Sequence, residues 1–257
     1  MGGRQSVNRN FENSSQPISL TKSKFLPETA SKSICRVEIE NSIGFAGLYC
    51  FNEKNETYYV LITCENVLAP GQVQKAKFYI DGLDKFFKLP SDWIEQISFQ
   101  PIGKDYFTVI VLKQAAINFL ISKSAKFLKV TSPRIGDQVI IIQYSERKLS
   151  FWQGVIQEIE DFTLKYNATT ANGIIGSPLL LSNGEAIGVH KEDEDFQQLK
   201  NQKIDPQRSA TCLTEIIRYF LMDLQMKYEY DKFKVYLILQ LVCKNTPKYA
   251  YTSIYLF

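Results

Sequence analysis

Histidine occurs once in these 257 residues, at position 190, and that scarcity excludes more than any other count. Zinc sites built on several imidazoles are ruled out. A serine or cysteine hydrolase whose base is imidazole would have to use His190. Cysteine is sparse as well. Cys35, Cys50, Cys64, Cys212 and Cys243 are odd in number and widely spaced, with no C-x-x-C pair, which suits reduced core thiols better than a disulfide framework or a metal site. A charge surplus is missing too: 30 Lys plus Arg against 27 Asp plus Glu leave +3, too little for the basic stripe of a nucleic-acid binder. The longest apolar run, VYLILQLVC at 235–243, is about half of the roughly 20 residues that cross a bilayer. The phosphate-binding loop, the dinucleotide glycine pattern, H-E-x-x-H and G-x-S-x-G are all absent. The acidic run 192–195 lacks the ligand spacing and central glycine of a calcium loop. No metal and no cofactor are expected.

What is there begins with Met1-Gly2-Gly3-Arg4-Gln5-Ser6, which has no apolar core behind it, so a secretory signal is not expected and a cytoplasmic chain is. The same residues fit M-G-x-x-x-[ST], the pattern for N-myristoylation at Gly2, and equally an ordinary unmodified start. One acyl chain binds a membrane only marginally, with an association constant of about 10⁴ M⁻¹, and Arg4, Arg9, Lys22 and Lys24 add a weak basic signal. Residues 1–30, rich in Ser, Asn and Gln, read as a flexible arm. From residue 31 onward short β-type runs alternate with turns: 35–40, 45–51, 57–63, 76–80, 106–112, 138–144, 150–159, 162–168, 177–181 and 186–190. That spacing is that of a sandwich or barrel. Residues 191–208 are polar, and their charges read as a solvated loop. Leu213, Ile216, Ile217, Phe220, Leu221 and Leu224 recur at helical spacing, predicting a helix over about 209–225 capped by Ser209 or Thr211. Residues 226–257 are an extension that the pattern leaves open between a strand pair and a poorly packed tail.

Residues 171–190, ANGIIGSPLLLSNGEAIGVH, resemble the nucleophile region of trypsin-like serine peptidases, a G-x-S-G-[GS]-P turn followed by a hairpin. Upstream, Phe45-Ala46-Gly47-Leu48-Tyr49 and Val60-Leu61-Ile62-Thr63-Cys64-Glu65-Asn66-Val67-Leu68 resemble the family's G-[ST]-G-F segment and the strand that ends in its catalytic histidine. Gly136-Asp137-Gln138-Val139 is similar to a G-D-x-V strand entry of the same family. The resemblance spans roughly 33–225. It implies an all-β fold of two six-stranded Greek-key β-barrels, at about 33–115 and 125–208, with a C-terminal α-helix.

The chemistry departs from the family. Asn66 stands where the resemblance puts the histidine, and Ile175 where it puts the serine. The aspartate falls on Tyr106, or on Asp105 if the register moves by one. Isoleucine has no nucleophilic atom, and an asparagine amide does not shuttle a proton at neutral pH. His190 follows the nucleophile motif, on the wrong side of it for the family's chain order. Gly173 and Gly176, with Ser177, read as a remnant of the oxyanion loop, and Ile175 as a core residue plugging the cleft. The expected function is a catalytically inactive peptidase homologue of the PA clan, a pseudoprotease that binds an unidentified protein or peptide, with a membrane surface as a second partner through Gly2. The alternative is an active hydrolase with a relocated nucleophile, Ser177 or Cys64 paired with His190.

Overall fold

Runs in which alternate side chains are apolar form strands, because successive side chains of an extended chain face opposite ways. The computed structural model describes residues 25–40, 42–81, 85–145, 148–168, 175–191 and 207–245. After a short helix, α1 (Phe25–Ser31), a first unit contains β1 (Ile34–Ile39), β2 (Ser42–Glu53), β3 (Glu56–Cys64), β4 (Lys77–Ile80), β5 (Ile94–Ile102) and β6 (Asp105–Leu112). Its antiparallel order is β4-β1-β2-β3-β6-β5. Lys54 and Asn55 join β2 to β3 with positive φ at both positions, the backbone of a two-residue hairpin whose twist matches its strands.

The connection to the second unit is α2 (Gln114–Ser122) followed by β7 (Leu128–Lys129), which runs parallel to β2. The next residues reach across, Val130 bridging Ala186 and Thr131 donating its amide to the Ala186 carbonyl at 3.0 Å. The expected start of the second barrel near 125 therefore moves on to β8, since 125–131 serve as a stitch between the units.

The second unit contains β8 (Gln138–Ser145), β9 (Lys148–Glu160), β10 (Thr163–Asn167), β11 (Pro178–Leu181), β12 (Ala186–His190) and β13 (Gln207–Cys212). It closes as a barrel in the order β10-β13-β12-β11-β8-β9. The near-continuous apolar run of β8 has a physical reason. Val139 and Ile141 belong to the barrel's own core, while Ile140 and Ile142 join the larger core shared with the first unit, so both faces of this strand are buried.

A final helix, α3 (Leu213–Asn245), packs on β5, β12 and β13 and so spans both units. Leu213, Ile216, Ile217 and Phe220 sit in the shared core, each such burial contributing about 1.5–3 kcal/mol. The predicted helix is corrected at both ends. Ser209 and Thr211 are strand residues that pair with Lys165 and Thr163, because closing the barrel between β10 and β12 needs a strand there. The helix then continues past 225, so neither a strand pair nor a loose tail occupies 226–245. Residues 246–257 and 1–24 lie outside the described residues. Among the described residues, no helix is long and apolar enough to cross a membrane.

Candidate functional site

The first unit brings the end of β3 to the seam between the units. In the β3–β6 pairing Cys64 lies opposite Phe107, and the Glu65 amide donates to the Tyr106 carbonyl at 3.0 Å, extending that register by one residue. The chain then turns, with the Val67 and Leu68 amides both donating to the Cys64 carbonyl at 3.1 Å. This places exposed Asn66 on the turn, beside the start of β6 where Asp105 and Tyr106 sit. Val67 folds back against Gly44.

The second unit supplies the turn before β11. The Phe45 amide donates to the Ile175 carbonyl at 2.9 Å, tying this turn directly to β2. Ile175 itself is half-buried and packs against the shared core. Gly176 follows with φ +83°, and a Cβ there would overlap the Phe45 carbonyl and the Thr63 hydroxyl. That hydroxyl donates to the same Phe45 carbonyl at 2.6 Å. Position 176 therefore needs glycine twice over, for its conformation and for the close approach. Ser177 is fully buried, and its Oγ donates to the Ile142 carbonyl at 2.6 Å.

His190 ends β12 immediately behind this turn. The Gly176 amide donates to the His190 carbonyl at 2.9 Å, and the His190 amide to the Ser177 carbonyl at 2.8 Å. The Cys64 thiol donates to that His190 carbonyl at 3.4 Å. The imidazole points into the second barrel, 2 % exposed, where its Nδ1 shares a short hydrogen bond with Tyr166 Oη. Burial, with the neighbouring Arg208 guanidinium, holds its pKa down at about 3, so the ring is neutral at physiological pH. Next in the chain, Lys191 crosses the seam to Asp105 Oδ2 at 2.8 Å and also reaches Thr163 Oγ1 at 3.4 Å.

These contacts rearrange the sequence-predicted set. The backbone gathers positions 66, 105, 106 and 175 around one end of the first unit. Asp105 turns its carboxylate to Lys191, whereas Tyr106 lays its ring on Phe99 with centroids 4.9 Å apart. Of the expected oxyanion-loop residues, Gly176 gives its amide to the His190 carbonyl and Ser177 turns its hydroxyl inward to the Ile142 carbonyl. Gly173 and Gly2 lie outside the described residues. The Cys64 thiol meets the His190 carbonyl, and the imidazole Nδ1 meets Tyr166 Oη. The view of 191–208 as a solvated loop fails at both ends, since Lys191 bridges the units and Arg208 is buried in β13. Tyr166, Arg208 and Lys191 are the residues the sequence did not single out. Only Tyr166 left a signal, as an inward position of an alternating strand.

No family model matches the chain, and no curated protein matches it in sequence. Solved structures do match in shape. The inactive form of the Rv3671c protease of M. tuberculosis H37Rv, carrying a serine-to-alanine substitution, is 12% identical with a TM-score of 0.54, over 80% of this chain and 94% of that one. The serine protease domain of the Sesbania mosaic virus polyprotein is 20% identical with a TM-score of 0.53, over 73% of this chain and 91% of its own. The MamO protease domain from Magnetospirillum magneticum, in its apo form, is 13% identical with a TM-score of 0.50, over 75% and 97%. The chain has the double β-barrel fold of these trypsin-like protease domains.

Proposed function

We propose that this trypsin-like double barrel carries no peptidase activity and works by binding a protein or peptide in the cytoplasm, with acylation at Gly2 tying it to a membrane surface. One observation carries the reading. Among the described residues, the three side chains that could make a relocated nucleophile and base are each committed to an internal hydrogen bond: Ser177 to Ile142, Cys64 to the His190 carbonyl, His190 to Tyr166. The positions where the family resemblance puts the triad carry Asn66, Tyr106 or Asp105, and Ile175. A neutral imidazole buried behind the turn accepts no proton from an attacking group at the surface. A cleft shaped for an extended chain can hold a peptide by strand addition without cleaving it.

The test uses a fluorophosphonate probe on the full chain. Absence of labelling, with labelling gained when Asn66→His and Ile175→Ser are combined, supports loss of the reaction from an otherwise intact frame. Labelling of the unmodified chain that Ser177→Ala or Cys64→Ala abolishes overturns it in favour of a relocated nucleophile.

A further inference from the structure

The α3 helix outruns the body it packs on. Up to Leu224 its apolar side chains other than Met222 meet the core, but every residue from 225 to 234 is exposed. The exposed part is not uniformly polar. Met222, Met226, Tyr230 and Phe233 recur at spacings of four, four and three, and Met226 and Phe233 are 63% and 59% exposed. At 3.6 residues per turn this stripe lies roughly 140° around the helix from the core-facing stripe of Leu213, Ile216, Ile217, Phe220 and Leu224. It is a second apolar face, and the elements on which α3 packs, β5, β12 and β13, lie against the first.

The sequence becomes more demanding further on. The helix continues to Asn245, and in 235–243 (VYLILQLVC) Gln240 is the one polar residue. A helix apolar on all sides is stable only when surrounded, by protein core or by lipid. Pairing with a second copy would cover one stripe and leave the rest in water. Lipid covers the whole circumference. The flanks fit a lipid surface as well. Lys227, Lys232, Lys234 and Lys244 outnumber Glu229 and Asp231 across 226–245, a cationic balance that anionic headgroups attract. Tyr228, Tyr230 and Tyr236 have the amphipathic character found at the headgroup level. Nine helical residues rise about 13 Å, less than half of a hydrocarbon core of about 30 Å.

We infer that the distal half of α3 is a membrane-inserting element that enters one leaflet of an anionic bilayer without crossing it. This is independent of acylation at Gly2, and it would be the second attachment that a single acyl chain requires.

The experiment takes the full chain, produced without acylation, and floats it with vesicles of phosphatidylcholine containing about 30% phosphatidylserine. The chain rises with the vesicles. Leu237→Asp combined with Leu239→Asp lowers partitioning about a hundredfold, and Met226→Ser combined with Phe233→Ser, in the exposed proximal part, lowers it about tenfold. An unmodified chain that stays in the aqueous fraction overturns the inference, as does flotation that both double substitutions leave unchanged. A soluble dimer that Leu237→Asp and Leu239→Asp split, with no flotation, overturns it in favour of a second copy as the partner. The fluorophosphonate result bears on none of these outcomes, so the two readings fail separately.

Discussion

The two β units trace the same cyclic order of strands, yet one closes and the other does not. In the second, β11 and β12 are joined by a tight turn at Asn183 and Gly184, where Gly184 has φ +86°, and the ring of six strands is complete. In the first, the corresponding pair is β4 and β5, which end the path without pairing to each other. There the free side of β4 is met by an isolated bridge from Phe87 to Phe78, and Phe87 packs on Phe119 of α2, which also meets Trp93. Side-chain packing from a helix does in one unit what a backbone ladder does in the other. The closed barrel buries His190 and the charged Arg208 inside its wall, whereas the buried polar side chains of the open unit, such as Thr63, Ser98, Gln100 and Thr108, carry no charge.

The sharpest way to separate the units is acid. His190 is neutral and buried in the folded chain, with a pKa of about 3 against an ordinary value of 6.5. Unfolding exposes the ring, so below pH 6.5 the unfolded chain takes up a proton that the folded chain refuses. Stability is full above 6.5 and is lost as pH falls through 3, by about 5 kcal/mol in total. Denaturant titrations from pH 7 to pH 3 read this loss. His190→Gln flattens the slope by about one proton, and an unchanged slope would place the acid-sensitive group elsewhere.

The joint between the units is the next target. Gly176→Ala forces a side chain onto the Phe45 carbonyl at a φ that suits glycine, and a destabilisation of about 3 kcal/mol is expected in thermal or denaturant melts. Gly136, also at positive φ but with open space around it, gives the control: Gly136→Ala costs about 1 kcal/mol, from the backbone alone. Equal effects at the two glycines would show that the seam has no tight approach at 176. Within the open unit, Phe119→Ala removes the ring that meets both Phe87 and Trp93. Because Phe119 is half-buried, the loss is about 2 kcal/mol, below the range of fully buried rings. A negligible change would mean that β4 is held by something other than this aromatic contact.

The difference between the units also explains how far the sequence could be read. Strands with a clean apolar rhythm, such as β3 and β6, were legible. β13 was not, because QRSATC carries little apolar character and is a strand only by virtue of the two neighbours it joins. In β5, two glutamines and Pro101 dilute the pattern, and the strand is recovered by pairing along the whole of β6. At the candidate site, Asn66 and Ile175 were pointed out by the resemblance of their segments to trypsin-like peptidases. The partners of His190 did not, since Tyr166 and Arg208 are distant in sequence and meet it only when the barrel closes. The aspartate position stayed open between Asp105 and Tyr106 because one residue of register moves a side chain to the other face of a strand. The strand pairing gives the two residues different surroundings, Lys191 for one and Phe99 for the other.

That last pair offers the finest measurement. Lys191 and Asp105 come from different units and are both largely shielded, with side-chain exposures of 13% and 26%. A shielded pair at 2.8 Å with a further contact to Thr163 exceeds a typical surface ion pair, so a double-mutant cycle with Asp105→Asn and Lys191→Met is expected to give a coupling of about 1 kcal/mol. The same substitution reports on the chemistry. If Lys191 is what holds the Asp105 carboxylate away from the β3 turn, then in the chain carrying Asn66→His and Ile175→Ser, adding Lys191→Met raises the rate of fluorophosphonate labelling, because the carboxylate becomes available to orient the introduced imidazole. A rate unchanged by Lys191→Met, alongside a measurable coupling, would make the ion pair a clamp between the two units with no bearing on the cleft.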